Sequence, residues 1–292
     1  MLRLGIRLPL GPPVPVWLQR RWLQVLGPLL IPTKRVRRSK QPLAGVSVER
    51  SVGGDAGAVL YVHGGGGILG SPRCFRAATA SLAAATRATV FAPDYRKAPE
   101  HPCPAAIEDC RACYMALLDE GWSPERIALA GDSIGGGIAT ALALELADSD
   151  LPQPSALILI SPHVDQSLSG ATITSQQPTD PVLRRGLLDA NTRMYCGLRP
   201  PHDPRCSPLF ADLSGLPPTL IQSGTDDMLF SDSEELAKRA RAAGVNVRLE
   251  AWGGGLFHAF QWFTPLLPEA DRAWAEVGAF LEEHWSAEAA LA

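Results

Sequence analysis

The sequence predicts an α/β fold: a mostly parallel central sheet with helices on both faces. Short aliphatic and β-branched runs recur at 58–62, 89–92, 126–130, 156–160 and 219–222. Each is apolar on both sides, as strands inside a parallel sheet must be. Longer stretches at 75–86, 105–118, 134–147 and 233–243 lie between successive runs and read as helices. Strands alternating with helices build a sheet through crossovers that cover both of its faces.

The remaining elements follow in chain order. Residues 1–45 stand outside the alternation and hold one helix near 16–26. Residues 46–52 alternate apolar and polar side chains, so they read as a half-exposed strand in an antiparallel hairpin; 245–252 do the same and read as an edge strand. A last helix over 268–285 puts Trp274, Val277, Phe280 and Leu281 on one stripe. Residues 163–206 contain a helical stretch at 181–195 and are too long for a simple crossover, which marks them as a lid or substrate-binding insertion. The expected organisation is therefore an N-terminal cap segment (1–45), a catalytic domain in two parts (46–162 and 207–292), and a cap insertion (163–206) that meets the N-terminal segment as a small helical cap.

Composition narrows the function classes. The chain has 292 residues, 46% of them hydrophobic, enough to bury a sizeable core, and a net charge of −3 that gives no case for a nucleic-acid partner. One local imbalance stands out: Arg3, Arg7, Arg20, Arg21, Lys34, Arg35, Arg37, Arg38 and Lys40 all precede the first acidic residue, Glu49. A basic, Trp-bearing N-terminus fits contact with a membrane surface or a targeting segment, but Pro9, Pro12, Pro13 and Pro15 interrupt the apolar run that a signal peptide needs. No run of about 18 apolar residues occurs, so no span and no stable membrane insertion is expected, and the location expected is cytoplasmic. Of the six cysteines, Cys110 and Cys113 form a CxxC inside the helical EDCRACYMALLDE, where two packed side chains a turn apart are expected rather than a metal or redox pair. Neither a metal nor an organic cofactor is expected.

The chemistry sits in three motifs. GDSIGGG (131–137) follows a buried strand and opens a helix, the setting of a nucleophile elbow, in which crowding around a strained serine requires glycine two residues to either side. Ser133 is the candidate nucleophile; the competing reading is a glycine-softened turn. HGGGG (63–67) directly follows the strand at 58–62. Its glycines let backbone N–H groups approach a ligand closely. No Gly-Lys-Ser/Thr follows and no matching acidic residue ends the next strand, so an oxyanion loop fits better than a phosphate or dinucleotide loop. A serine needs a base, and in this architecture the chain order is serine, acid, histidine. His258 in GGGLFHAF follows a strand end, whereas His284 lies on an exposed helix face. The acid comes from Asp226, Asp227 or Asp232, and spacing alone does not choose.

Taken in order, HGGGG, DYRKAPEHPCPAAIED, GDSIGGG, DDMLFSD and GLFHAF resemble the bacterial hormone-sensitive-lipase-like carboxylesterases of the α/β-hydrolase fold, over the chain from about residue 46 to the end. The resemblance implies Ser133 as nucleophile, His258 as base and Asp227 as the acid, with backbone N–H groups of Gly65, Gly66 and Ile134 as the oxyanion hole and His63 holding the loop. It also implies hydrolysis of short- to medium-chain acyl esters through an acyl-enzyme, with a small-molecule ester as partner and a homodimer in reach of the edge strand. Three positions depart from the family: Gly67 where an aromatic is usual, Ile134 where alanine is usual, and Ala259 where glycine or a bulky residue is common. Asp94, Arg96, Glu100 and Glu108 read as a structural charge network beneath the site, and Trp17, Trp22 and Leu23 as walls of the pocket. Rival readings are a lactonase, amidase or thioesterase with the same triad, a small-molecule-binding protein on the same fold, and a membrane-associated lipase; the presence of His258 speaks against the binding protein.

Overall fold

The computed structural model describes residues 7–30, 32, 34–264 and 266–289, with side chains described through Trp285; Arg3 of the basic N-terminus lies outside them. Eight strands form one sheet: β1 (Arg37–Leu43), β2 (Val46–Val52), β3 (Ala58–Val62), β4 (Thr89–Pro93), β5 (Ile127–Asp132), β6 (Ala156–Ile160), β7 (Thr219–Gly224) and β8 (Val247–Trp252). Their spatial order is β1-β2-β4-β3-β5-β6-β7-β8. The β1–β2 and β2–β4 pairs are antiparallel, and every later pair is parallel. The helices are α1 (Val16–Leu26), α2 (Arg76–Thr86), α3 (Ala105–Asp119), α4 (Ile134–Asp148), α5 (Thr172–Ser175), α6 (Arg185–Cys196), α7 (Phe230–Ala242) and α8 (Pro268–Ala289).

Side-chain alternation along the strands divides the core in two. Leu60, Val62, Leu129, Leu157 and Leu159 face α3, α4 and α7, which contribute Ile107, Leu117, Ile138, Leu142 and Leu236. Val59, Tyr61, Val90, Ile158 and Leu220 face α2 and α8, which contribute Leu82, Trp274, Val277 and Phe280. The expected stripe on the last helix is this second interface. Each fully buried aliphatic or aromatic side chain contributes roughly 1.5–3 kcal/mol through its removal from water. Cys110 and Cys113 lie in the first cluster as packed, unpaired thiols.

One boundary differs from expectation. Residues 37–43, inside the segment assigned to the cap, form β1 and pair with β2 along its whole length. Their sequence, RRSKQPL, carries no apolar alternation because this edge strand buries only its last residue, Leu43. Pro42 is compatible with an edge, where a missing N–H breaks no interior ladder. The sheet therefore starts at Arg37, and the part of the N-terminal segment that reaches the insertion lies upstream of it.

Residues upstream of β1 pack against residues of the 163–206 stretch. Leu10, with the half-buried Val16, Leu23, Leu26 and Leu30, packs with Val182, Leu183, Leu187 and Leu188 in a third apolar cluster. Polar contacts pin the join. The Arg184 guanidinium donates to the carbonyls of Leu10 and Pro12, each at 2.8 Å, and Arg7 donates to the carbonyls of Asp180 (2.9 Å) and Gln177 (2.8 Å). Charge-assisted hydrogen bonds of this kind contribute roughly 1.5–3 kcal/mol. Arg184→Ala is accordingly expected to loosen the N-terminal segment while leaving the sheet intact. Limited proteolysis should cut ahead of β1 sooner than in the parent, with little change in global unfolding.

Candidate active site

Parallel strands deliver their following residues to one edge of the sheet, and the functional side chains collect there. Gly131 and Asp132 of β5 pair with Leu159 and Ile160 of β6, so the chain turns sharply just beyond. A Cβ on Gly135 would lie 2.0 Å from the Val62 carbonyl oxygen, and one on Gly131 would lie 2.3 Å from the Gly135 carbonyl oxygen. The glycines are required by close backbone approach, as the elbow reading expects. Between them Ser133 takes φ 54° and ψ −127°, an unfavourable conformation for a side-chain-bearing residue, at a cost of about 1–3 kcal/mol. Its backbone is anchored on both sides: Ser133 N–H donates to Ile160 O (2.9 Å), and Ser133 O accepts from His163 N (2.9 Å) and Gly136 N (3.0 Å).

The HGGGG loop lies alongside. Gly65, Gly66 and Gly67 all have positive φ, at 108°, 67° and 71°. A Cβ on Gly66 would meet Asn191 Nδ2 at 2.2 Å, and one on Gly67 would meet the Tyr195 ring at 2.4 Å. Both partners come from α6. Tyr195 thus fills the space against Gly67, at the position where the family usually carries an aromatic. His63 donates from Nδ1 to Gly64 O at 2.8 Å and is stacked between Phe75 and Tyr95. Burial lowers its pKa to about 3, which favours the neutral imidazole.

His258 and Asp227 form the buried pair. His258 Nδ1 lies 3.1 Å and 3.2 Å from the two Asp227 carboxylate oxygens. Asp227 is further held by Leu229 N–H (2.8 Å) and the Ser223 hydroxyl (3.2 Å). Burial lowers the His258 pKa, but attraction to Asp227, with Asp180 and Asp132 behind it, outweighs that and leaves the imidazole raised. Ala259, the family departure, sits at φ 49° and ψ 42°, a left-handed conformation that favours glycine. Its N–H donates to Ser161 Oγ at 3.0 Å, which fixes the backbone carrying His258 beside the end of β6.

A cavity of about 370 Å³ joins these parts. Ser133, His258, Gly65 and Gly66 all line it, together with His163, Asn191 and a mainly aliphatic wall from both outlying segments. Ile134, the third proposed oxyanion donor, is the first residue of α4, and its side chain packs into the core beneath the sheet, so the larger residue leaves the cavity lining unchanged.

Of the acids left open by spacing, Asp226 is partly exposed and its N–H donates to Leu256 O, while the buried Asp227 faces the imidazole. Asp232 is buried, yet its carboxylate accepts from Val164 and Asp165 N–H, each at 3.1 Å, and ties the start of the insertion to α7. The charges of the DYRKAPEHP motif form separate, largely exposed pairs rather than a network under the site: Asp94 with Lys97, Arg96 with Glu108 and Asp109, and Glu100 with Arg20 of α1. Leu23 lines the cavity; Trp17 and Trp22 do not. His284 donates to Phe280 O on α8, remote from Ser133.

Four residues escaped the sequence reading. Asp132 is fully buried; burial pushes its pKa up to about 7 against the opposing hydrogen bond from Tyr61, whose hydroxyl it accepts. Asp180 accepts from Val182 (2.8 Å), Leu183 (3.0 Å) and Met228 (3.0 Å), joining the cavity wall to the residue after Asp227. Asn191 backs Gly66. His163 follows β6 in SPH and is held neutral by burial, its pKa lowered to about 4; only its place after a strand end marked it.

Residues 59–262 match the model of a family described as having the alpha/beta hydrolase fold, and the chain belongs to that family. Within it the chain is a carboxylic ester hydrolase of the hormone-sensitive-lipase-like group. An acetyl-hydrolase of Streptomyces hygroscopicus is 41% identical over 227 residues, covering 78% of this chain and 76% of the relative. An esterase of Acinetobacter venetianus is 39% identical, covering 85% and 82%. The crystal structure of an esterase from the bacterial hormone-sensitive lipase family superposes with a TM-score of 0.92 at 36% identity, over 97% of this chain and 95% of that one.

Gly135→Ala tests the elbow's packing, because its Cβ would meet backbone oxygens that cannot yield. Overpacking costs of about 1–3 kcal/mol or more are expected. Thermal unfolding should shift down by several degrees, about 2–4 °C per kcal/mol in a chain near this size.

Proposed function

We propose that the chain is a serine carboxylesterase acting on short- to medium-chain acyl esters, with Ser133 as nucleophile, His258 as general base and then acid, and Asp227 orienting His258. One observation carries the reading: a strained serine and a buried imidazole line the same cavity, and the imidazole's other nitrogen faces a buried carboxylate. His258 Nε2 takes the Ser133 proton as Oγ attacks the ester carbonyl. Asp227 fixes the tautomer and stabilises the imidazolium. Backbone N–H groups of Gly65, Gly66 and Ile134 receive the oxyanion, each donor contributing about 3–4 kcal/mol to the transition state. His258 returns the proton to the leaving alcohol, and water repeats the sequence on the acyl-enzyme.

The aliphatic wall of Leu23, Leu26, Val182, Leu183, Leu187 and Leu188 suits a linear acyl chain, and the bounded cavity suits short to medium ones. A relative, EstE5, 34% identical with a TM-score of 0.90 over 98% of this chain and 97% of that one, has been soaked with p-nitrophenyl butyrate, which supports the same range. The proposal includes a cytoplasmic location and a homodimer through the edge strand β8. The unpaired state of all six cysteines fits a reducing compartment. Among the described residues no helix is long and apolar enough to cross a membrane.

Ser133→Ala should lower kcat by about 10⁵–10⁶-fold with unchanged circular dichroism. Asp227→Asn should lower kcat by about 10⁴-fold, whereas Asp226→Asn should stay within about twofold. Steady-state kinetics on p-nitrophenyl butyrate checks both, and a reversed ranking of the aspartates contradicts the assignment.

The pH profile follows from the same pair. Only neutral His258 accepts a proton, so kcat/KM should fall as pH drops through its raised pKa, placing the acid limb above the ordinary histidine value of about 6.5. Residual activity of Asp227→Asn should show that limb at lower pH, because the stabilising carboxylate is gone.

A further inference from the structure

Helix α1 has two apolar sides. Its inner side serves the cavity through Leu23 and Leu26. Its outer side faces solvent: Trp17, Leu18 and Val25 are 62%, 43% and 68% exposed, and Leu29, just beyond the helix, is 68% exposed. Leu18 and Val25 are two helical turns apart in α1, which puts them on one stripe with Trp17 beside them. Leu266, from the loop before α8, is 67% exposed. Leu29 and Leu266 also line the cavity, so the apolar surface is continuous with the cavity's mouth. Contiguous exposed apolar surface of this kind marks an interaction site.

The surrounding charge says what it meets. Arg21 and Arg73 line a shallow groove together with Val25 and Leu29. Among the described residues neither pairs with a carboxylate, whereas their neighbours Arg20 and Lys34 pair with Glu100 and Asp271. The chain places nine cations before its first acidic residue, Glu49, although the whole molecule is net negative. An amphipathic helix with tryptophan and leucine on one face and arginine beside it is suited to the headgroup boundary of a bilayer carrying negative charge.

We infer that the outer face of α1 seats the protein on an anionic lipid surface, with the cavity mouth opening towards the lipid. The side chains of Trp17, Leu18 and Val25 enter the interface, and Arg21 and Arg73 contact phosphates. The docking stands independently of hydrolysis; entry of lipid-borne esters through Leu29 and Leu266 rests on the esterase reading above.

Vesicle co-sedimentation tests the docking. The full chain is mixed with vesicles of equal parts phosphatidylcholine and phosphatidylglycerol, or of phosphatidylcholine alone, at low and high salt. Pelleting with the anionic vesicles, weakened by salt, is expected. The triple variant Trp17→Ser, Leu18→Ser, Val25→Ser should weaken binding by about tenfold, and the double variant Arg21→Glu, Arg73→Glu by a similar factor. Both should hydrolyse a water-soluble acetate ester at the parental rate, showing that they are folded; if the triple variant fails that control, the charge-reversal variant decides. Ser133→Ala protein should pellet as the parent does, which separates this test from the catalytic one. Parent protein that stays in the supernatant with both vesicle types, or binding that neither variant weakens, overturns the inference. So does a dimer seen by light scattering that the triple variant dissociates, since a second copy would then cover this face.

Discussion

The start of α4 lies almost in contact with the end of β3, and the rest of the site depends on that approach. The Val62 carbonyl lies only 2.0 Å from where a Gly135 Cβ would stand, and Ser133, between β5 and α4, takes a positive φ. The strain is held by bonds from both neighbouring segments, Ile160 O accepting from Ser133 N–H and His163 N–H donating to Ser133 O. The same crowding brings the HGGGG loop, which continues directly from β3, beside the serine. Ser133 and the HGGGG loop thus meet at one close approach of backbone.

Buried carboxylates make the second layer of organisation. Asp132 takes the Tyr61 hydroxyl and lies against Gly64, so a β5 side chain supports the loop after β3. Asp180 and Asp232 accept backbone N–H groups from segments on the opposite side of the site, joining the insertion to the loop after β7 and to α7. Burial raises the pKa of all three, and their hydrogen bonds offset part of that cost. Residues 163–206 are thus tied to the loop after β7 and to α7 by contacts to backbone, while Val182, Leu183, Leu187 and Leu188 line the cavity.

Much of this was legible in the sequence, for identifiable reasons. Apolar runs announced β3 to β7, because short aliphatic and β-branched stretches alternating with longer helical ones suit strands inside a sheet. The elbow was legible because its glycines are imposed by local geometry at fixed spacing. Asp227 was not separable from Asp226 by spacing, since adjacent side chains diverge and only the fold decides which one meets His258; the resemblance supplied that choice. β1 was hidden because an exposed edge strand leaves no apolar pattern, and Asp180 because its bond to Met228 spans 48 residues of chain. The charge motif misled because its members are close in sequence yet pair in different directions, one of them with α1.

The central claim is that Ser133 Oγ carries the acyl group. Rapid quenching during turnover of p-nitrophenyl butyrate, followed by intact-mass measurement and peptide mapping, tests it most directly. The account expects one butyryl group per chain, located on the peptide containing Ser133 and on that side chain. Steady turnover with no covalent adduct under conditions that trap one, or a butyryl group on any other residue, would contradict it.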